Sequence, residues 1–182
     1  MTERIILGID PGTKIMGFGL IKAIGKKPEL IEMGVFNFDK FKDPYLKLEN
    51  IFKSTLELID KHHPDELAIE APFYGKNVQS MLKLGRAQGV AISAALNRQI
   101  PIFEYAPRKI KLSITGQGAA SKEQVAKFLK SILRFDEIPR NLDATDGLAA
   151  AMCHFYQRNN PEISKGYSGW SDFIKKNPEK TR

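Results

Sequence analysis

The sequence predicts an α/β domain, a mixed sheet with helices on its faces. Three short apolar runs come first, the leading one β-branched, and later runs alternate with segments of helical periodicity, giving the order βββαβαβαα. The first and fourth runs are linked through a helix, which makes them candidates for parallel neighbours. At 182 residues, with 42% apolar and 27% charged side chains, the chain fits one ordinary domain with a real core, and wholesale disorder is excluded.

Each element has its own local reason. Ile5-Ile6-Leu7-Gly8-Ile9 reads as a buried strand entering a turn at Asp10-Pro11-Gly12-Thr13. Residues 16–23 and 30–38 read as two more strands around the polar turn Gly25-Lys26-Lys27-Pro28, and three strands in succession suggest a meander. Asp43-Pro44 is a start signal for a helix over 45–61, where Leu48, Ile51, Phe52, Leu56 and Ile59 recur at helical spacing until Pro64. Leu67-Ala68-Ile69-Glu70 is a fourth short strand ending on an acid. Residues 76–97 form a long helix whose Gly85, Ala87, Gly89, Ala91 and Ala94 permit close approach of another backbone. Residues 101–105 make a fifth strand, and 106–120 a basic, glycine-containing loop or broken helix. Ser121-Lys122-Glu123-Gln124 is a capping-box pattern opening a helix to residue 133, and Asn141 can cap a last helix to about residue 156. Residues 1–157 are expected to be the domain, and 158–182 a basic tail rich in Asn, Gly, Pro and Ser.

Composition narrows the function. There are 28 Lys and Arg against 21 Asp and Glu, a net charge of +7, which favours a polyanionic partner because phosphate neutralisation releases condensed counterions. A basic surface is also simply a soluble one. No apolar run approaches the ~20 residues of a membrane span. The start, MTERIILGID, lacks the long apolar stretch and small-residue cleavage site of a signal peptide. The single cysteine, Cys153, excludes an internal disulfide and a cysteine-based zinc site, and reads as a small packed residue. A reducing, cytoplasmic compartment is the expectation.

Four acids stand out. Asp10 and Glu70 both close an apolar strand, and sites collect where parallel strands end. If those strands are adjacent, the two carboxylates meet. Asp143 and Asp146, three residues apart on the last helix, share a face. Converging carboxylates repel unless a divalent cation compensates, and an all-oxygen ligand set suits Mg²⁺ or Mn²⁺. Two such ions ~4 Å apart can activate water and stabilise the leaving oxygen of a phosphodiester. Plainer explanations stand beside this one. Asp10 before Pro-Gly is a good turn residue, and Asp143 in a first helical turn suits the macrodipole. Leu148, Met152 and Phe155 lie opposite Asp143 and Asp146, so the pattern alone reads those acids as a solvated face. Glu70, closing a buried strand, has no local task.

ILGIDPGT followed by GFG, then AIE-x2-F, KN-x4-LKLG-x-A-x-GVA, FEYAP and a late D-x-x-D resemble, in order over residues 5–154, the RuvC family of bacterial Holliday-junction resolvases. That family is part of the RNase H-like/retroviral-integrase superfamily. The resemblance implies an RNase H-like, five-stranded mixed sheet flanked by helices, acting as a homodimer. It implies Mg²⁺-dependent paired nicking of four-way junction DNA in recombination and repair, leaving 5′-phosphate and 3′-hydroxyl ends, with Mn²⁺ able to substitute. It assigns Asp10, Glu70, Asp143 and Asp146 to catalysis and to two metal ions, Asp10 bridging them. It also places Phe73 against a base near the crossover, Lys111 and Lys122 near the bound strand, and the helix 76–97 at the dimer interface. The RuvA–RuvB branch-migration complex is the implied partner.

Ordinary roles remain for each: a core phenylalanine for Phe73, surface solvation for the lysines, and packing on its own sheet for the helix. His62 and His63, at a helix end before Pro64, read as solvent-exposed. His154 is eleven residues beyond Asp143, ~16 Å along a helix axis, too far to share one metal site. Trp170, Tyr167 and Phe173 in the tail have no assigned role. Three alternatives stay open: an RNase H-like nuclease acting on RNA or other branched nucleic acid, an actin- or sugar-kinase-like ATPase whose phosphate loop also reads Ile9-Asp10-Pro11-Gly12-Thr13, and a catalytically silent nucleic-acid-binding module. The first differs in substrate. The second needs two such domains and leaves the Asp-x-x-Asp unexplained. The third leaves the four acids without work.

Overall fold

A computed structural model describes residues 3–72 and 77–159. The chain runs β1 (Glu3–Asp10), β2 (Ile15–Ile24), β3 (Lys27–Asn37), α1 (Pro44–His62), β4 (Glu66–Glu70), α2 (Val78–Asn97), β5 (Ile102–Tyr105), α3 (Pro107–Thr115), α4 (Lys122–Leu133) and α5 (Asp143–Asn159). The five strands form one sheet in the order β3-β2-β1-β4-β5. β1, β2 and β3 pair antiparallel as the expected meander, while β1–β4 and β4–β5 are parallel. The RNase H-like architecture predicted from the sequence is the one found.

Period-two alternation divides the strand residues between two cores. Leu7 and Ile9 of β1, Met16, Phe18 and Leu20 of β2, and Leu67 and Ile69 of β4 face α1 and α2. Ile6, Ile21 and Ala68 face the other way, onto α5, which α3 and α4 cover in turn. By the same parity, Asp10 and Glu70 look toward α5.

Local chemistry fixes the helix ends. Asp43 caps α1 by accepting from the Tyr45 N–H, with Pro44 at the first helical position, and Asn77 caps α2 by accepting from the Ser80 N–H. Ser121 and Gln124 make the reciprocal capping box of α4. The Asn141 side chain accepts from the Asp143 N–H at the entry to α5.

Three expectations need correction. The basic segment after β5 holds a regular helix, α3, which ends on the left-handed Gly116. Pro107 starts that helix, and the glycines that suggested a broken one lie at or beyond its end. His62 is not freely exposed, because its ring packs beside Glu32 with Nε2 2.9 Å from the carboxylate. The third correction concerns α5. Residues Ala144, Thr145 and Gly147 through Phe155 are all buried, so no face of that stretch is open to solvent. The boundary proposed at residue 157 falls inside α5, and residues 160–182, with Tyr167, Trp170 and Phe173, lie outside the described residues.

Candidate active site

Asp10 ends β1, and the chain turns at once through Pro11 and Gly12. The parallel register places Ile9 opposite Ile69, so the next residues along, Asp10 and Glu70, end neighbouring strands side by side. From the α5 side, glycines let helix and sheet touch backbone to backbone. A methyl group on Gly147 would lie 2.5 Å from Phe18 Cα, and one on Gly17 would overlap the Asp143 carbonyl. This close seat brings the first turn of α5 over the ends of β1 and β2.

Asp10, Asp143 and Asp146 therefore each offer a carboxylate oxygen within 4.8 Å of the others. Among the described residues this is the one cluster with the makings of a metal site. Glu70 stands beside this trio rather than in it, near enough that its charge acts on Asp10. The expectation that Asp143 and Asp146 form a solvated face fails, since their side chains are only 28% and 14% exposed. The pattern misled because α5 is covered on every side over most of its length, which leaves its acidic first turn only partly open.

Proton affinities reflect the crowding. Burial, then the charge of Glu70 and Asp146, pushes the Asp10 carboxyl well above the usual carboxylate range. Burial, then Asp146, raises Glu70 to about 7. Asp146 is raised chiefly by burial, against the pull of Lys122.

Lys122 answers part of this negative charge. Its ammonium donates 2.8 Å to Asp143 Oδ1 and pairs with Asp146 Oδ2. Burial works against its charge, but those two carboxylates outweigh burial and raise its proton affinity. Lys111, half-buried on α3, is near enough to lower the proton affinity of Glu70 and Asp146. Of the residues singled out from sequence, Asp10, Asp143, Asp146 and Lys122 come into direct proximity, Glu70 and Lys111 border them, and Phe73 lies outside the described residues.

His154 stands apart, buried between the Tyr105 hydroxyl (2.6 Å) and Glu66 (2.9 Å). Sequence reasoning missed Gln88, a buried amide on α2 that reaches the Glu70 main chain. Its signal was a polar residue at i, i+3, i+7 with the inward alanines Ala91 and Ala95.

The donor set is all oxygen and carries more negative charge than one lysine offsets, which fits a hard divalent cation. No helix among the described residues is long and apolar enough to cross a membrane.

Known proteins arrange themselves around this chain consistently. The family described as Crossover junction endodeoxyribonuclease RuvC matches residues 6–154. A protein of that name from Christiangramia forsetii is 64% identical over 181 residues, covering 100% of this chain and 94% of its own. One from Bacteroides fragilis is 62% identical over 182 residues, covering 99% and 97%. The solved structure of Thermus thermophilus RuvC in complex with a Holliday junction substrate superposes with a TM-score of 0.78 at 30% identity, covering 85% of this chain and 95% of that one. Fold, match length and identity agree: the chain belongs to the RuvC family of divalent-metal-dependent crossover junction endodeoxyribonucleases.

Proposed function

We propose that this protein resolves four-way DNA junctions by paired, symmetric phosphodiester nicks, and that Asp10, Glu70, Asp143 and Asp146 are its catalytic, metal-holding residues. The observation that carries this reading is the meeting of three carboxylates from two distant stretches of chain, with a fourth at their border. Two Mg²⁺ ions, replaceable by Mn²⁺, would supply charge neutralisation and water activation when bound. Asp10, the most crowded of the acids, is the natural bridging ligand. The carboxylates hold the scissile phosphate's surroundings rigid, since each sits at the end of a buried strand or in the first turn of a buried helix.

Lys111 and Lys122 flank the acids and bind the cut strand's phosphates. Lys122 leaves the carboxylates to do so, exchanging one anionic partner for another. Phe73, three residues beyond Glu70, stacks on a base beside the crossover, where such contacts are worth ~1–3 kcal/mol.

A homodimer supplies the second site. Val78, Leu82 and Leu96 are 65%, 61% and 60% exposed on α2, and nothing lies over Gly85 or Gly89. Together they form one outward stripe of apolar and small residues, separate from the inward Ala87, Ala91, Ala94 and Ala95. A two-fold pair of α2 helices packed through this stripe yields two symmetric sites. The RuvA–RuvB branch-migration complex is the proposed partner, and a DNA substrate puts the work at the nucleoid, in the cytoplasm. Residues 1–157 are proposed as the nuclease domain and 158–182 as an accessory basic tail.

The test is cleavage of a synthetic four-way junction with and without Mg²⁺. Symmetric nicks in two opposed strands that require the ion support the reading. Preference for a linear duplex or an RNA hybrid, or ATP turnover without cleavage, overturns it.

A further inference from the structure

We infer that Gln88 is a positioning residue for Glu70, holding the end of β4 through a main-chain hydrogen bond that the sheet itself cannot make. The inference rests on the reading of Glu70 as a metal-holding residue. Main-chain groups on one parallel strand point alternately to its two neighbours. The N–H groups of Leu67 and Ala71 donate to the carbonyls of Pro101 and Tyr105 on the β5 side. Glu70 has the other parity and faces β1. With Ile9 opposite Ile69, the donor due to the Glu70 carbonyl is the N–H of residue 11. Residue 11 is Pro11, which has none. The turn that aims Asp10 thus strips its neighbour strand of its last rung.

Gln88 supplies the donor from α2. Its side-chain amide nitrogen donates to the Glu70 carbonyl at 3.3 Å and to Glu104 Oε2 at 2.7 Å, so both amide hydrogens are used. Gln88 itself is only 7% exposed. The Glu104 carboxylate anchors the amide, and the amide fixes where β4 stops. Glu70 and the chain leaving β4 then start from a defined point. Gln88 sits on the helix proposed to form the dimer, so the same bond ties that helix to the catalytic edge of the sheet.

The experiment uses the full-length protein and Gln88→Met, which keeps length and volume but donates nothing. Single-turnover cleavage of a synthetic junction is measured against Mg²⁺ concentration, direct Mn²⁺ binding by loss of the free-ion EPR signal, and junction binding in EDTA. The expected result is cleavage slowed roughly tenfold, a displacement well under 1 Å. Mn²⁺ binding weakens severalfold, and junction affinity and melting temperature stay near wild type. Glu104→Gln, an exposed change that removes only the anchor's charge, moves cleavage and Mn²⁺ binding the same way by a smaller factor, and decides the matter should Gln88→Met fail to fold. Unchanged cleavage and Mn²⁺ binding in these variants, or losses matched by equal losses of junction binding, overturn the inference. Glu70→Gln separates the two claims. Full cleavage by that variant overturns the role of Glu70 itself, whereas its loss alongside an unaffected Gln88→Met overturns only the role of Gln88.

Discussion

Gly17 of β2 lies directly against the main-chain carbonyl of Asp143 at the start of α5, with no room between them for a methyl group. That contact sets how far Asp143 and Asp146 stand from Asp10. A helix seated on side chains rather than glycine backbone would be pushed off the sheet, and the carboxylates would part.

Gly147→Ala tests this seat from the helix side. Its new methyl would lie 2.5 Å from Phe18 Cα, and backbone cannot swing aside as a side chain can. Denaturant unfolding should show a loss of ~1–3 kcal/mol or more, the range for an overpacked core. Cleavage should fall further than stability alone explains. Gly85→Ala, whose new methyl meets nothing within its own chain but lies on the proposed dimer stripe, should instead weaken self-association in analytical ultracentrifugation while leaving the fold intact.

Asp146→Asn removes one carboxylate of the trio while keeping its shape. Junction cleavage should drop by at least ~100-fold, the scale on which one preorganised electrostatic group acts. Junction binding in EDTA should persist, and the melting temperature of the metal-free protein should not fall, because a buried charge with raised proton affinity has been taken away. Loss of binding together with cleavage would instead assign Asp146 to folding.

Lys122 occupies charge space that a cation would otherwise fill. Lys122→Met should therefore bind Mn²⁺ severalfold more tightly in a calorimetric titration, by roughly the 1 kcal/mol scale of a partly exposed ion pair. The same variant should bind junction DNA more weakly and show a shallower salt dependence, having lost one phosphate contact.

The raised Asp10, Glu70 and Asp146 carboxyls predict a definite pH dependence. A carboxyl whose folded pKa lies above its unfolded value binds more protons in the folded state. Its stabilising contribution is full below the unfolded value, near 4.5 for Glu70, and is lost as pH rises through about 7. The metal-free protein should melt a few degrees lower at pH 8 than at pH 5.5, on the ~2–4 °C per kcal/mol scale of a domain this size. Glu70→Gln should flatten part of that slope. Added Mn²⁺ should restore the melting temperature at pH 8 far more than at pH 5.5, where protons compete for the same oxygens.

Much of this was legible in the sequence for physical reasons. Strands β1 and β4 could be read as parallel neighbours from their apolar runs and intervening helix, and each ends on an acid, so Asp10 and Glu70 were drawn to one edge. The capping chemistry of Asp43, Ser121 and Asn141 is local and therefore visible. What was not legible depends on tertiary packing. Periodicity placed Asp143 and Asp146 toward solvent, because nothing in a heptad pattern reveals that α3 and α4 cover the far side of α5. Residues 106–120 read as a broken helix because Gly116, the left-handed residue that ends α3, falls inside that stretch. Gln88 escaped notice because the vacancy it fills is created by Pro11, seventy-seven residues away in the chain.

The proposed mechanism requires carboxylates from β1, β4 and α5 to hold divalent ions jointly. The most direct measurement is a crystal soaked in Mn²⁺, with anomalous difference density collected near the manganese edge. Peaks are expected between Asp10, Glu70 and the Asp143–Asp146 pair, with Lys122 turned away from them. A well-ordered structure with no manganese there, and Lys122 still paired to Asp143 and Asp146, would contradict it.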